Sequence, residues 1–407
     1  MRPQEGERRA VAWSFAWFFC LLASYYILRP VRDEMGVAGG VKNLPWLFTA
    51  TFLAMLVAVP VFGALVARLA RRVFIPVVYH FFALNILAFW VALRYGEPAL
   101  VARVFFVWIS VFNLFAVSVF WSFMADVFSS GQGKRLFGLI AAGGSAGALL
   151  GPLVTVAIVG WIGPANLLFV AAVMLEAAVF CAQRLEFGEH GARGGERVGG
   201  SWIAGLVMVA RSPYLAGIAL WVFCLSIAGT FLYLQQADIV SHASADPSVR
   251  TRIFATIDLS VGVLTILVQL LATGKLIHRY GVGRAAALLP LVFAVGFAAL
   301  AAWPVLAVVV AFQALQRTAN FALSNPALQL LYTVLPREEK YKAKNAIDLL
   351  VFRGSDALSA AMFSALRGLG LEAAAISLFA VPVAAACLVL SLGLGRAQER
   401  RAGVNGS

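Results

Sequence analysis

Apolar stretches of about 18 residues or more recur twelve times along this chain, and that recurrence decides what it can fold into. They run over residues 11–29, 44–67, 73–93, 99–124, 136–160, 165–183, 213–237, 254–273, 285–302, 304–332, 345–367 and 372–395. Each is long enough to cross a hydrocarbon core of ~30 Å at ~1.5 Å per residue. A segment in lipid must satisfy its own backbone hydrogen bonds, so each run is expected to be a helix. The composition leaves no soluble alternative. Apolar residues are 62% of the 407 and charged residues 13%, against roughly 45–50% and 25% in soluble domains. A soluble enzyme, a secreted disulfide scaffold and a disordered chain are excluded. The expectation is an all-α membrane protein with twelve transmembrane helices, and not an enzyme.

The net charge of +13 would suggest nucleic acid in a soluble protein. Here the placement of the charge explains it. With the N-terminus cytoplasmic, the inside segments hold 22 of the 32 Lys and Arg residues and the outside segments eight, while Arg317 and Arg353 fall within runs. That asymmetry obeys the positive-inside rule. It implies an integral protein of an inner-type bacterial membrane, both termini cytoplasmic, with lipid and a small-molecule solute as partners and no nucleic acid. The N-terminal Arg8-Arg9 and apolar run resemble a signal peptide but lack a small-residue cleavage site, so the run reads as a retained helix. Cys20, Cys181, Cys224 and Cys387 lie inside apolar runs without paired spacing, and His80, His190, His242 and His278 are scattered. Neither set marks a disulfide or a metal site, and no cofactor is expected. No phosphate-cradling Walker loop is present, so ATP hydrolysis is not implied.

The longest polar segment, Arg184 to Gly200, falls near the middle of the chain. It divides the sequence into an N-terminal six-helix half (1–183), a cytoplasmic linker (184–212) and a C-terminal six-helix half (213–407). The halves echo one another. Gly63-Ala-Leu-Val-Ala-Arg68-Leu-Ala-Arg71-Arg72 follows the second run, and Gly274-Lys-Leu-Ile-His278-Arg279-Tyr-Gly281 follows the eighth. Such repeats place a substrate site at their interface and rock around it. The Gly63–Arg72 stretch resembles the signature loop of the major facilitator superfamily, with Ala67 at the family's Asp position and His278 there in the second copy. The resemblance implies a cytoplasmic gate built on Gly63, Arg68, Arg71, Arg72, Gly274 and Arg279. The alternative is a plain positive-inside loop. The family fold, two pseudo-symmetric six-helix halves, is the expected architecture. Gly147-x-x-x-Gly151-Pro152 partly resembles an antiporter signature of the same superfamily and reads mainly as close helix packing.

Ionisable groups at membrane depth mark cavities or pathways. Arg317 lies about 13 residues beyond Pro304, near mid-membrane, on one face with Gln313, Asn320 and Ser324. Tyr25, Arg29 and Arg32 share a face if the first helix continues through Pro30, and two guanidinium forks suit a phosphate or carboxylate. The bland readings are a helix-holding ion pair for Arg317 and headgroup anchoring for the Arg29 cluster. Asn113, Tyr233, Gln235 and Gln236 add neutral donors and acceptors. Arg353 and Asp356 are spaced to pair within one helix; Asp348, one turn from Lys344, and Asp258 are candidates for proton coupling or ion pairing. Glu176 is isolated and reads as structural.

Two stretches resemble the ATP/ADP translocase family of intracellular bacteria and plastids: Tyr26-Ile-Leu-Arg29-Pro-Val-Arg32-Asp33, and Asn325-Pro326 through Arg337-Glu-Glu-Lys340-Tyr-Lys342-Ala-Lys344-Asn-Ala-Ile-Asp348. Phe120-Trp121 before Lys134-Arg135 also fits. Arg32 keeps the charge of the family's Lys in helix one. The family's helix-four Glu falls near Ile109, its helix-seven acid within Phe231–Gln236, where no acid stands, and its helix-ten Lys on Leu328. The resemblance therefore implies a nucleotide-transporter scaffold with an altered site. The resulting expectation is a monomeric secondary transporter moving a nucleotide, phosphorylated metabolite or organic anion by alternating access. A lipophilic-drug exporter of the same superfamily is the alternative, supported by Trp13, Trp17, Tyr25 and Trp121. A non-transporting scaffold is the third reading.

Overall fold

The computed structural model describes residues 7–68, 71–185, 202–336, 339, 343–344 and 346–405. Among these the secondary structure is helical and there is no strand. The helices are α1 (Arg8–Ala38), α2 (Leu44–Arg68), α3 (Arg71–Tyr95), α4 (Pro98–Val127), α5 (Ser130–Gln183), α6 (Trp202–Arg211), α7 (Pro213–Ala243), α8 (Pro247–Val268), α9 (Gly274–Ala302), α10 (Leu306–Ala319), α11 (Asn325–Leu331), α12 (Phe352–Gly368) and α13 (Ala373–Asn405).

Two continuous helical stretches are too long to cross once. Arg135–Gln183 has 49 residues and Pro247–Ala302 has 56, more than twice the ~20 that one crossing needs. Each is broken by a glycine in the left-handed region, Gly163 at φ 77° and Gly281 at φ 80°. A side chain at either would cost roughly 1–2 kcal/mol. Pro164 follows Gly163 and enforces the break. The two stretches therefore supply two crossings each. The turn Ile347–Val351 extends α12 into a further span. Twelve crossings result, over the twelve apolar runs. The links between the fifth and sixth runs and between the eleventh and twelfth turn on positive-φ glycines, Gly163 and Gly370, a geometric echo of the two halves.

Some elements differ from expectation. The first helix does not stop at Arg29 but continues through Pro30 to Ala38. The linker region carries an unforeseen apolar helix, α6, and residues 186–201 lie outside the described residues. Cys20, Cys181, Cys224 and Cys387 are free of disulfides.

The chain forms two compact units, Met1–Val41 with Leu53–Glu196 and Ser244–Leu259, and Lys42–Phe52 with Arg197–Ala243 and Ser260–Ser407. The first is organised by α1 against α5. Gly143, Gly147 and Gly151 recur every four residues and place α5 backbone directly on α1. A Cβ at Gly143 would stand 2.5 Å from the Phe15 carbonyl oxygen, and one at Gly151 2.7 Å from Tyr26 Cβ. The antiporter-like Gly147–Pro152 stretch is thus a packing seam. Trp17, wholly buried, sits among Tyr79, Phe120 and Phe123 with ring centroids 5.0–6.0 Å away. Ser24 donates to the Ala171 carbonyl at 2.7 Å. The second unit uses the same device where α9 meets α13: a Cβ at Gly283 would stand 2.8 Å from Gly395 Cα. Trp221 Nε1 donates to Ser391 Oγ at 2.7 Å, and Tyr214 OH to the Leu331 carbonyl at 2.8 Å.

Gly151→Leu should force α1 and α5 apart and cost at least the ~1–3 kcal/mol of overpacking, lowering the melting temperature of purified protein in detergent. Gly138→Ala, where an added Cβ meets nothing within 4 Å, should leave melting unchanged or raise it, since alanine is the better helix former.

Candidate functional site

The continuation of α1 past Pro30 is what builds the first polar constellation. It sets Tyr25, Arg29 and Arg32 along one helical face and carries Asp33 and Glu34 beyond them. Arg29 Nη1 lies 3.6 Å from Asp258 Oδ1, whose side chain is 1% exposed. Farther along, Arg250 Nη2 donates to Glu34 Oε1 at 2.7 Å, both side chains nearly buried. The charge order along α1, cation then anion, thus meets its complement on α8. Arg32 Nη1 lies 3.6 Å from Asp33 Oδ1, and its guanidinium stacks 4.2 Å from the Phe106 ring centroid. Tyr25 packs edge-on against Tyr26, and the Arg29 guanidinium lies 5.8 Å from the Tyr26 ring. Arg103 donates twice to the Gly39 carbonyl, which closes the end of α1. Gly160 leaves the space that Arg252 Nη2 occupies. Three arginines, Arg29, Arg32 and Arg250, thus pair with three carboxylates, Asp258, Asp33 and Glu34, within the first unit. Asn113, on α4, is half-buried.

The second unit holds its own buried polar cluster. Ser226 and Thr230, one turn apart on α7, donate to Asp356 Oδ1 at 2.5 and 3.4 Å. Arg353 Nη1 lies 3.6 Å from Asp356 Oδ2, the pairing that their spacing implies. Tyr233 packs edge-on against Phe48, with centroids 5.5 Å apart. Gln236 is buried beside Gln235, whose Oε1 accepts from Ser377 Oγ at 2.7 Å. Arg367 Nη2 donates to Asp238 Oδ2 at 3.0 Å. Arg317 is half-buried in the last turn of α10. Asn320 opens a π-turn, Asn320–Ser324, that joins α10 to α11. A second π-turn, Gln269–Thr273, follows α8, and its side chains serve the first: Gln269 Nε2 donates to the Phe321 carbonyl at 3.3 Å and Thr273 Oγ1 to the Ala322 carbonyl at 2.9 Å.

Other sequence expectations fall elsewhere. Asp348 is exposed in the π-turn Ile347–Val351, apart from the Asp356 cluster, and Lys344 directs its Nζ to Gln329 Oε1 at 2.8 Å. Glu176 is not isolated: its Oε1 meets His80 Nδ1 at 2.9 Å. Gly63 and Arg68 end α2 and Arg71 and Arg72 begin α3, but their side chains lie outside the described residues. Gly274 and Arg279 are exposed on α9, with the Arg279 guanidinium 5.7 Å from the Tyr280 ring. Ile109 is wholly buried in apolar packing, the stretch Phe231–Gln236 buries Phe231 together with the polar Gln235 and Gln236, and Leu328 packs against the apolar core of the second unit. The arginine-rich end of α8 and the partners of Asp258 and Glu34 escaped sequence reasoning. The one signal for them was the density of charge in Arg250–Asp258 at the mouth of an apolar run.

Arg250→Ala should leave the Glu34 carboxylate buried without its partner, at a cost of roughly 3–5 kcal/mol. A Glu34→Gln/Arg250→Gln double variant should recover most of that loss, as read by thermal melting of each purified variant.

The Major Facilitator Superfamily profile matches residues 9–343. No curated protein matches the chain. Among solved structures, a mutant of the nucleoside transporter NupG is similar at 12% identity and a TM-score of 0.68, over 97% of this chain and 99% of that one. The POT family transporter PepTSo gives 13% and 0.68 over 98% and 99%. A bacterial homologue of the human lysosomal transporter Spinster gives 13% and 0.64 over 98% and 99%. At these identities the likeness is one of fold, and it agrees with the all-helical architecture. The chain belongs to the major facilitator superfamily of membrane transporters.

Proposed function

We propose that this chain carries a small organic anion, a nucleotide or phosphorylated metabolite first among them, by alternating access coupled to protons. The Arg29–Asp258 pair carries the reading. A half-buried guanidinium paired with a buried carboxylate is a site where an incoming anion competes with the protein's own acid. An anion that displaces Asp258 takes the vacated fork. Arg32, less than a turn away and stacked on Phe106, supplies the second fork that suits a phosphate group. The nucleotide preference rests on the translocase-like stretches Tyr26–Asp33 and Asn325–Asp348. Tyr233, Gln236, Asn320 and Arg317 in the second unit are the proposed orienting groups.

Taking 1–183 and 213–407 as the halves that rock, the Arg29–Asp258 and Glu34–Arg250 pairs each join one half to the other. They must open once per cycle. The excess of basic residues on alternate loops supports cytoplasmic termini in an inner-type membrane.

The test is counterflow in proteoliposomes loaded with ADP and offered labelled ATP. Wild type should accumulate label. Arg29→Ala should lose about 10–100-fold in uptake, the worth of one or two charge-assisted hydrogen bonds. Full activity in that variant sinks the anion site. Asp258→Asn should keep counterflow and lose uphill accumulation under an imposed proton gradient, whereas Asp348→Asn should keep both. Proton-driven accumulation by Asp258→Asn would overturn the coupling role. If folded wild type ignores nucleotides, a screen of phosphorylated metabolites and carboxylates follows, and a broadened drug-resistance profile would mark the exporter reading.

A further inference from the structure

His80 and Glu176 form a pair that the transport reading does not use. They meet at 2.9 Å, and each side chain is 47% exposed. Ionisable side chains within membrane spans almost always face the bundle interior; this pair faces outward. His80 lies eight residues beyond Arg72 on α3, and Glu176 eight residues before Arg184, the cap of α5. At ~1.5 Å per residue both sit about 12 Å from the arginine-bearing ends, inside the hydrocarbon. The residues around them are apolar and exposed: Val77, Phe81 and Leu84 on α3, and Phe169, Val173 and Phe180 on α5. Their spacings of three and four put each set on one helical stripe, with the charged residue at its middle.

We propose that this face is the contact surface for a second copy of the chain. The argument is charge complementarity under symmetry. The pair is a dipole, basic on α3 and acidic on α5, with both ends at the same depth. Two copies inserted in the same sense are related by a two-fold axis along the membrane normal, which makes an interface self-complementary. Equal depth is what such an axis needs to bring His80 of one copy against Glu176 of the other. The internal contact uses Nδ1 and Oε1. A protonated imidazole has a second N–H donor at Nε2, and a carboxylate has a second oxygen to accept it. Four groups then close a ring that removes both charges from lipid, and polar contacts of this kind hold membrane helices together.

The experiment is photobleaching step counting of labelled full-length protein in liposomes over a range of protein-to-lipid ratios. Wild type should dimerise. His80→Leu/Glu176→Leu should dimerise about tenfold or more weakly, with an unchanged melting temperature showing that it folds. The charge swap His80→Glu/Glu176→His keeps the self-complementarity and should keep the dimer, whereas His80→Glu alone should lose it. Wild type that stays monomeric at every density overturns the proposal and leaves lipid or another protein on the pair. So does a double-leucine variant that associates as well as wild type.

Discussion

The close approach of α1 and α5 is the contact on which the rest of the first unit depends. Lipid gives helices no hydrophobic reason to associate, so backbone proximity and dispersion must hold them. The glycines at 143, 147 and 151 remove the side chains that would keep the two helices apart. That seam fixes the position of α1 over its whole length. Trp17 and its ring of aromatics lock the lower part, and the Arg103 contact to Gly39 closes the upper end. Tyr25, Arg29, Arg32 and Glu34 are therefore held on a rod with little freedom to drift, which is the preorganisation that a charged site needs.

The charges on that rod meet others rather than water. An isolated guanidinium or carboxylate is expensive at membrane depth, so the chain arranges them as complementary pairs with Asp258 and Arg250. Pairing makes each charge tolerable and at the same time makes it conditional, because removing one member strands the other. The hydroxyls of Ser226 and Thr230 play the same tolerating role for Asp356 in the second unit.

Local features were legible in the sequence. The spans, the breaks at their ends, the packing glycines and the Arg353–Asp356 pair each follow from spacing along one segment. The continuation of α1 past Pro30 was readable only as a condition, since proline in a membrane helix permits either outcome. What could not be read were contacts between distant segments. Glu176 looked alone because His80 stands 96 residues away, and Arg29 gave no sign that its acid lay on α8. The nucleotide-type charges expected from resemblance were absent already at the level of residue identity, and Ile109 is buried in apolar packing.

The π-turns at Gln269–Thr273, Asn320–Ser324 and Ile347–Val351 all lie in the second unit, and among the described residues the first unit has none. Each such turn accommodates one residue more than the α path does, and at 3.6 residues per turn one residue is worth about 100° of rotation. Tightening the turn at Asn320 into α geometry would swing the face of α11 relative to α10 by that angle while leaving every hydrogen bond of α1 intact. Gln269 and Thr273, by bonding the Phe321 and Ala322 carbonyls that the wide turn exposes, act as a detent on that rotation. The first unit, among its described residues, has no turn that can be tightened in this way, so a rotation of this kind is available to the second unit alone.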